Sequence, residues 1–400
     1  MAAALAGMSL PGLAQSVEQG ASAGAAGQGA ATGKASGAAK NAAAGAKPVN
    51  LLEFEPLAKR RISRMAYDYI AEGAADEITL RRNRECFDQI RLKPRVLVDV
   101  SRLDTGVELL GQQQAFPILL APTAYHKLVN PEGERATARG AGAAGATMVV
   151  SSFATVAIED VGKAAAGPLW FQLYVQNDRG FTRELVQRAE AAGCRALCVT
   201  VDTPVAGTRD REVRDNFNLP PGMEIENLKA LEAKAGRSSH VSERGIYSLA
   251  LDPTLTWQEI DWIRGFAQVP VLLKGILTAE DARLAVEHGV AGVIVSNHGG
   301  RNLDTTPATI EALPRVADAV AGRTAVLMDG GVRRGTDVVK ALALGAQAVL
   351  IGRPYLWGLA VGGAGGVERV VTMLRTEFEV AMALCGTASL KHITREVIWE

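Results

Sequence analysis

Eight short apolar runs, each breaking off into polar residues or glycine, constrain this chain more than any other feature. They are "FPILLAPTA" (116–124), "TMVVSS" (147–152), "LWFQLYV" (169–175), "ALCVTVD" (196–202), "PVLLKGI" (270–276), "GVIVSNH" (292–298), "AVLMDGG" (325–331) and "AVLIGRP" (348–354). Helical patterns separate them. In "TAEDARLAVEHG", for instance, Thr278 suits an N-cap, acids fill the first turn and Gly289 suits the stop. Strands alternating with helices predict a parallel sheet, and nearly uninterrupted apolar strands predict burial on both faces. Eight such strands within about 240 residues predict an α/β fold of the (β/α)8 TIM-barrel type. A doubly wound open sheet is the alternative. A helical segment is expected before the first strand. The polar excursion at 203–269, after the fourth, reads as a long loop over the barrel mouth.

Residues 1–47 differ from all that follows. "MAAALAGMSLPGLAQ" is an apolar run ending in small residues, as at a signal-peptidase site, and an Ala/Gly/Ser-rich stretch follows that cannot build a core. No Lys or Arg precedes Lys34. The reading is therefore either an export signal whose front lies upstream of Met1, which makes the protein periplasmic or otherwise exported, or an Ala-rich tail on a cytoplasmic protein. The folded domain is placed at 51–400. Zero formal net charge argues against nucleic acid or an anionic membrane as partner, and no later run is long enough to span a membrane. Cys86, Cys194, Cys198 and Cys385 offer one C-x3-C spacing and no histidine at zinc-ligand distance, so buried thiols are expected and no metal site.

In such a barrel the site lies at the C-terminal ends of the strands. Gln172 and Tyr174 fall there on the third strand, Thr200 and Asp202 on the fourth, and Lys274 on the fifth. Ser296 and His298 end the sixth, Asp329 the seventh, and Gly352-Arg353 the eighth. "DGGVRRGTD" (329–337) and "IGRP" (351–354) put glycines and arginines after strands seven and eight, where barrels bind phosphate. Backbone N–H groups, a helix N-terminus and the forks of Arg333 or Arg353 would hold the anion. No P-loop or strand-linked dinucleotide fingerprint is present, so a phosphorylated cofactor held by the barrel fits better than ATP.

From Leu51 onward the chain resembles the FMN-dependent L-2-hydroxy-acid oxidases and dehydrogenases, the group of glycolate oxidase, lactate oxidase and mandelate dehydrogenase. The resemblance rests on "YDYIAEGAADEITL" (67–80), "APTA" (121–124), "NPEG" (130–133), "FQLYV" (171–175), "TVDTP" (200–204), "VLLKGI", "SNHGGRNLD" (296–304), "DGGVRRGTD" and "IGRP". It implies FMN resting on Pro122, Thr123 and Ala124, with Ser151, Gln172 and Thr200 on its ring and Lys274 near its pyrimidine end. Ser296 matches a further flavin contact, and Asp329, Gly330, Gly331, Arg333, Gly352 and Arg353 match the ribityl and phosphate contacts. The substrate carboxylate would lie on Arg209 and Arg301, aided by Tyr69. His298 would take the hydroxyl proton as hydride passes to flavin N5, with Asp202 supporting the imidazolium and Tyr174 donating to the substrate oxygen.

The implied reaction is oxidation of a lactate-like or larger L-2-hydroxy acid to the 2-oxo acid, with oxygen as acceptor and hydrogen peroxide as by-product. A quinone- or cytochrome-linked dehydrogenase is the alternative, and a non-redox phosphate-binding barrel isomerase a more distant one. The resemblance also implies a homotetramer. Two departures stand out: Asn302 where the family usually has glutamine, and Phe153 where glycolate oxidases carry tryptophan. Asn302 is expected to have no direct chemical role. Tyr125 and Lys127 give no clear specificity signal.

Overall fold

The eight runs form eight parallel strands: β1 (Ile118–Leu120), β2 (Met148–Ser151), β3 (Leu169–Leu173), β4 (Cys194–Thr200), β5 (Val271–Ile276), β6 (Gly292–Val295), β7 (Ala325–Met328) and β8 (Ala348–Ile351). Each pairs with the next, and β8 returns to β1 in the register Val349–Ile118 and Leu350–Leu119, so the sheet closes into a barrel and the open-sheet alternative falls. This computed structural model describes residues 47–231, 246 and 251–399. The expected export signal and linker lie outside the described residues.

Side chains alternate across each strand with period two, and the barrel uses the alternation to build two cores. Leu119, Val149, Trp170, Cys198, Leu272, Ile294, Leu327 and Leu350 pack together in the interior, whereas Ile118, Val150, Phe171, Val199, Leu273, Val293 and Met328 belong to the layer under the helices. Two residues beyond seven of these eight the same face carries polar groups or glycine, Ser151, Gln172, Thr200, Lys274, Ser296, Asp329 and Gly352, whereas beyond Leu119 it carries Ala121. A single inward face thus changes from apolar to polar near the C-terminal ends of the strands. At the opposite end a hairpin, Val107–Leu109 with Gln112–Gln114, plugs the barrel. Its Leu109 is buried against the interior core, and Gln112 accepts from the Trp170 indole at 3.1 Å. All four cysteines are buried free thiols.

The strands are shorter than the apolar runs suggested; Asp202, His298 and Asp329 lie in the loops just beyond them, and Arg353 opens the helix Arg353–Leu384. The helical segment ahead of β1 is present as Phe54–Lys59, Arg64–Ala71 and Ile78–Gln89. The 203–269 excursion is less of a loop than expected. It contains the helices Asp210–Arg214 and Trp257–Arg264, the second started by a capping box in which Thr256 and Glu259 satisfy each other's backbone N–H groups. The T-x-x-E pattern in "TWQE", which the loop reading passed over, is the signal that could have located this helix. Thr278 caps its helix as its position suggested, accepting from the Asp281 N–H at 3.1 Å.

Candidate active site

A cavity of about 650 Å³ opens at the C-terminal end of the barrel, inside the usual range for a small-molecule site. Of the site residues expected from sequence, Tyr69, Pro122, Thr123, Ala124, Ser151, Gln172, Tyr174, Thr200, Arg209, Lys274, His298, Arg301, Asp329, Gly330, Gly331, Arg333, Gly352 and Arg353 line it. Asp202 and Ser296 do not; both stand behind the wall and act on residues that do.

His298 follows β6 in the left-handed backbone region at φ 58°, which costs energy for any residue but glycine. Neighbouring contacts hold it there: its N–H donates to Ser296 Oγ at 3.1 Å, and Gly300 donates to the Asn297 carbonyl at 2.9 Å. Gly299 and Gly300 also have positive φ, and a side chain on Gly300 would meet the Leu80 backbone at 2.8 Å. The helix Ile78–Gln89 anchors the whole stretch. Asn83 and Asn297 exchange amide hydrogen bonds at 2.8 and 2.9 Å, and Asp304 accepts from the Thr79 N–H at 2.8 Å.

The imidazole Nδ1 lies 2.9 Å from Asp202 Oδ1, and Nε2 lies 3.2 Å from the Tyr174 hydroxyl. Burial opposes charge on Asp202, but His298 and Lys274 hold its carboxyl below the usual range. An ionised carboxylate only accepts, so Nδ1 carries the proton and Nε2 presents its lone pair to the cavity. Burial, with the Asp202 charge adding to it, pushes Tyr174 up to about 12, so its hydroxyl stays a donor. For His298, burial disfavours the imidazolium more than Asp202 favours it, and the net direction is downward. An NMR titration of His298 is therefore expected to show a midpoint below the ordinary value of about 6.5. The base then stays neutral, and able to accept a proton, further into acid than a free histidine. A midpoint above that value would contradict this balance of burial and charge.

The arginines form a second group. Arg301 lies over the Tyr69 ring, 4.9 Å from its centroid, and donates through Nη1 to the carbonyls of Tyr69 and Glu72. It was expected to serve the ligand alone, but these bonds also tie its loop to the helix Arg64–Ala71. Arg209 donates from Nε to the Arg301 carbonyl at 3.3 Å. Glu212, which the sequence did not single out, bridges both guanidiniums at 2.8 and 3.1 Å.

Asn302 is also more than a bystander. Its Nδ2 donates to the Asp202 carbonyl and to Thr203 Oγ1, both at 2.8 Å, and the Thr203 hydroxyl donates to Asp202 Oδ1 at 2.9 Å. The shorter amide therefore supports the carboxylate behind the base. Tyr125, Phe153 and Phe217 complete an aromatic wall, with Phe217 stacked on Tyr69 at 4.4 Å between centroids and Phe153 at 4.7 Å from Tyr174. No periodicity in "NFNLPPG" marks Phe217.

The opposite half of the cavity has the chemistry of a phosphorylated, polar-edged aromatic ligand. Gln172 links Ser151 at 3.1 Å to Thr200 at 2.9 Å as a polar rung across β2, β3 and β4. Lys274 stays an ammonium: burial opposes its charge, but Asp329, 3.2 Å away, and Asp202 outweigh it. Asp329 Oδ1 is buried and, among the described residues, has no hydrogen-bond partner. Arg333 and Arg353 have no carboxylate within ion-pair distance among the described residues. Burial pushes Arg333 down to about 10, with Arg84 adding to it, and Arg353 down to about 9, with Arg301 adding to it. Two half-buried cations with no carboxylate paired to them among the described residues, and an orphaned carboxylate oxygen lining the same cavity, are what a bound ribityl phosphate would satisfy, so FMN fits. One expected contribution is taken already. Asp337 accepts from the N–H groups of Arg333 and Arg334, both at 2.9 Å, so it caps the helix Gly335–Ala343 itself. The glycine backbone is left for the anion, with the remaining N–H groups of Arg333 and of Arg353, whose guanidinium also donates to the carbonyls of Ile70, Gly299 and Glu72.

Comparison with known proteins agrees with this geometry. The family model described as FMN-dependent dehydrogenase matches residues 58–400. An L-lactate oxidase of Nostoc sp. is 49% identical over 356 residues, covering 87% of this chain and 97% of that protein. Glycolate oxidase 3 of Oryza sativa subsp. indica is 50% identical over 349 residues, covering 86% and 95%. Among solved structures, a mandelate oxidase variant with (S)-mandelic acid superposes with a TM-score of 0.80 at 38% identity, covering 87% of this chain and 98% of that one.

Proposed function

The chain belongs to the FMN-dependent dehydrogenase family, and from that premise we propose that it oxidises an L-2-hydroxy acid, lactate-like or larger, to the 2-oxo acid with oxygen as acceptor. The observation that carries this reading is the imidazole of His298, backed by Asp202 and facing a cavity that also holds Arg209 and Arg301. Pro122, Thr123, Ala124, Ser151, Gln172, Thr200 and Lys274 would hold the flavin ring, and Asp329, Gly330, Gly331, Arg333, Gly352 and Arg353 the ribityl phosphate. FMN, when bound, accepts the two electrons that leave the substrate carbon as hydride and passes them to oxygen, giving hydrogen peroxide.

The protein's own residues do the rest. Arg209 and Arg301 bind the carboxylate, since planar forks match its geometry, and so fix which substrate face is presented. His298 Nε2 takes the hydroxyl proton, and Asp202 stabilises the imidazolium that results. Tyr174 donates to the same substrate oxygen and keeps it aimed at Nε2. The aromatic wall excludes water around them.

Phe153 leaves more room than tryptophan would, which supports acceptance of side chains larger than that of glycolate. One methylene is worth about 1–3 kcal/mol in an apolar pocket, so the preference should be graded. The purified protein is expected to be yellow, to release FMN on denaturation, and to bleach anaerobically with lactate and its longer or aromatic homologues. Release of FAD, or clear preference for glycolate, would defeat the reading. Slow reoxidation by oxygen but rapid reduction of a quinone would make the enzyme a dehydrogenase.

A homotetramer and export to the periplasm are part of the same proposal. The first rests on the family resemblance and the second on the apolar run at the N-terminus. Sedimentation and cell fractionation test them. Among the described residues no helix is long and apolar enough to cross a membrane.

A further inference from the structure

Glu212 lies between the two arginines proposed to bind the substrate carboxylate. Its Oε1 accepts from Arg301 Nη2 at 2.8 Å and from Arg209 Nη1 at 3.1 Å, and the residue lines the same cavity. It is not a freely moving surface acid. The carboxylate of buried Glu72 accepts from the backbone N–H of Glu212 at 3.0 Å and from that of Arg211, which pins the start of the helix Asp210–Arg214.

Lys274 is paired with Asp329, and the Asp202 carboxylate lies on the neutral His298 imidazole, so neither group offers a free cation to the substrate. Arg333 and Arg353 are assigned to the phosphate. Within the Arg209–Glu212–Arg301 cluster, two guanidiniums and one carboxylate leave one positive charge, which one substrate carboxylate neutralises. Resting on the function proposed above, we infer that Glu212 is a specificity-determining residue that restricts the enzyme to 2-hydroxy acids bearing one carboxylate and rejects dicarboxylates.

The rejection has a physical origin. The side chain of a bound substrate extends toward Tyr125, Phe153 and Phe217. A second carboxylate there loses its water, meets no uncommitted cation among the described residues that line the cavity, and faces the negative charge of Glu212. That charge reaches the chamber. Burial first, then Tyr69 and Glu212, hold the Tyr125 phenol well above its ordinary range.

The test uses FMN-loaded enzyme and three substrates of similar length: 2-hydroxybutanoate, L-malate, and the amide formed from malate's distal carboxyl. The amide matches malate in shape and lacks only the second charge. Wild-type enzyme is expected to oxidise 2-hydroxybutanoate and the amide, and to use malate with a kcat/KM lower by about 100-fold or more, as like charges brought together in a desolvated site require. Glu212→Gln keeps size and removes the charge, so the malate-to-amide ratio should rise by about tenfold or more. Glu212→Asn makes the same comparison if Glu212→Gln does not fold or retain FMN. An unchanged ratio, or a wild type that uses malate as well as the amide, overturns the inference alone. Failure of the wild type to oxidise any of the three overturns the proposed function, and this inference with it.

Discussion

His298→Gln is expected to slow flavin reduction by bound substrate by about 10²–10⁴-fold, the usual cost of losing a general base. Glutamine keeps polarity and approximate size, but its amide cannot accept the hydroxyl proton and become a cation. Asp202 then has no imidazolium to stabilise. The substitution does not touch the carboxylate anchors or the phosphate cradle, so FMN content and binding of the 2-oxo acid product should stay near those of the wild type. Glutamine must adopt the same left-handed backbone at φ 58°, a strain that histidine already bears. The fold is held there by Ser296, Asn297 and the Asn83 amide pair, none of which needs the imidazole. Rapid-mixing measurement of flavin bleaching is the check. Reduction at the wild-type rate would remove His298 from the chemistry and leave the stretch 296–304 as no more than a turn after a strand.

Arg301→Lys should fail differently. The guanidinium spans three partners at once, the carbonyls of Tyr69 and Glu72 on one side and Glu212 on the other, while stacking on the Tyr69 ring. A single ammonium cannot reach both sides or stack in the same way. Losing the fork misplaces the substrate, and misplacement of about 1 Å costs about 100-fold, so kcat/KM should fall by at least that much with a clear loss of product affinity. Part of the effect is structural. Leaving the Tyr69 carbonyl without its donor, while Glu72 keeps that of Arg353, should cost about 1–3 kcal/mol of stability, read as a lower Tm. His298→Gln with affinity intact and Arg301→Lys with affinity lost form a pair of results that a purely structural role for either residue would not produce.

The outline of this site was legible because its parts are encoded locally. Ser151, Gln172, Thr200, Lys274 and Asp329 each sit two residues past an interior apolar residue on the same strand, so the period-two alternation that builds the barrel also aims them inward. The T-x-x-E pattern in "TWQE" went unread because polar residues surround it, and a helix inside the 203–269 excursion was missed. Asn302 shows the limit of reading one position against a family pattern. Its shorter side chain looked inconsequential, whereas it donates both to the Asp202 backbone and to the Thr203 hydroxyl that supports the carboxylate.

By itself the sequence determined the eight-stranded barrel, the end of it that carries the polar groups, and the presence of a histidine and an arginine three residues apart beside paired glycines. These follow from periodicity and turn chemistry, which act over a few residues. Only the tertiary structure decided that Glu212 shares its carboxylate with Arg301, 89 positions away, and that Asp202 meets His298 across 96. It also decided that Phe217 stacks on Tyr69, and that Asp337 caps a helix whose N-terminus had looked free for an anion. Such pairings exist only once the barrel has closed and packing has chosen each rotamer. No pattern along the chain records them.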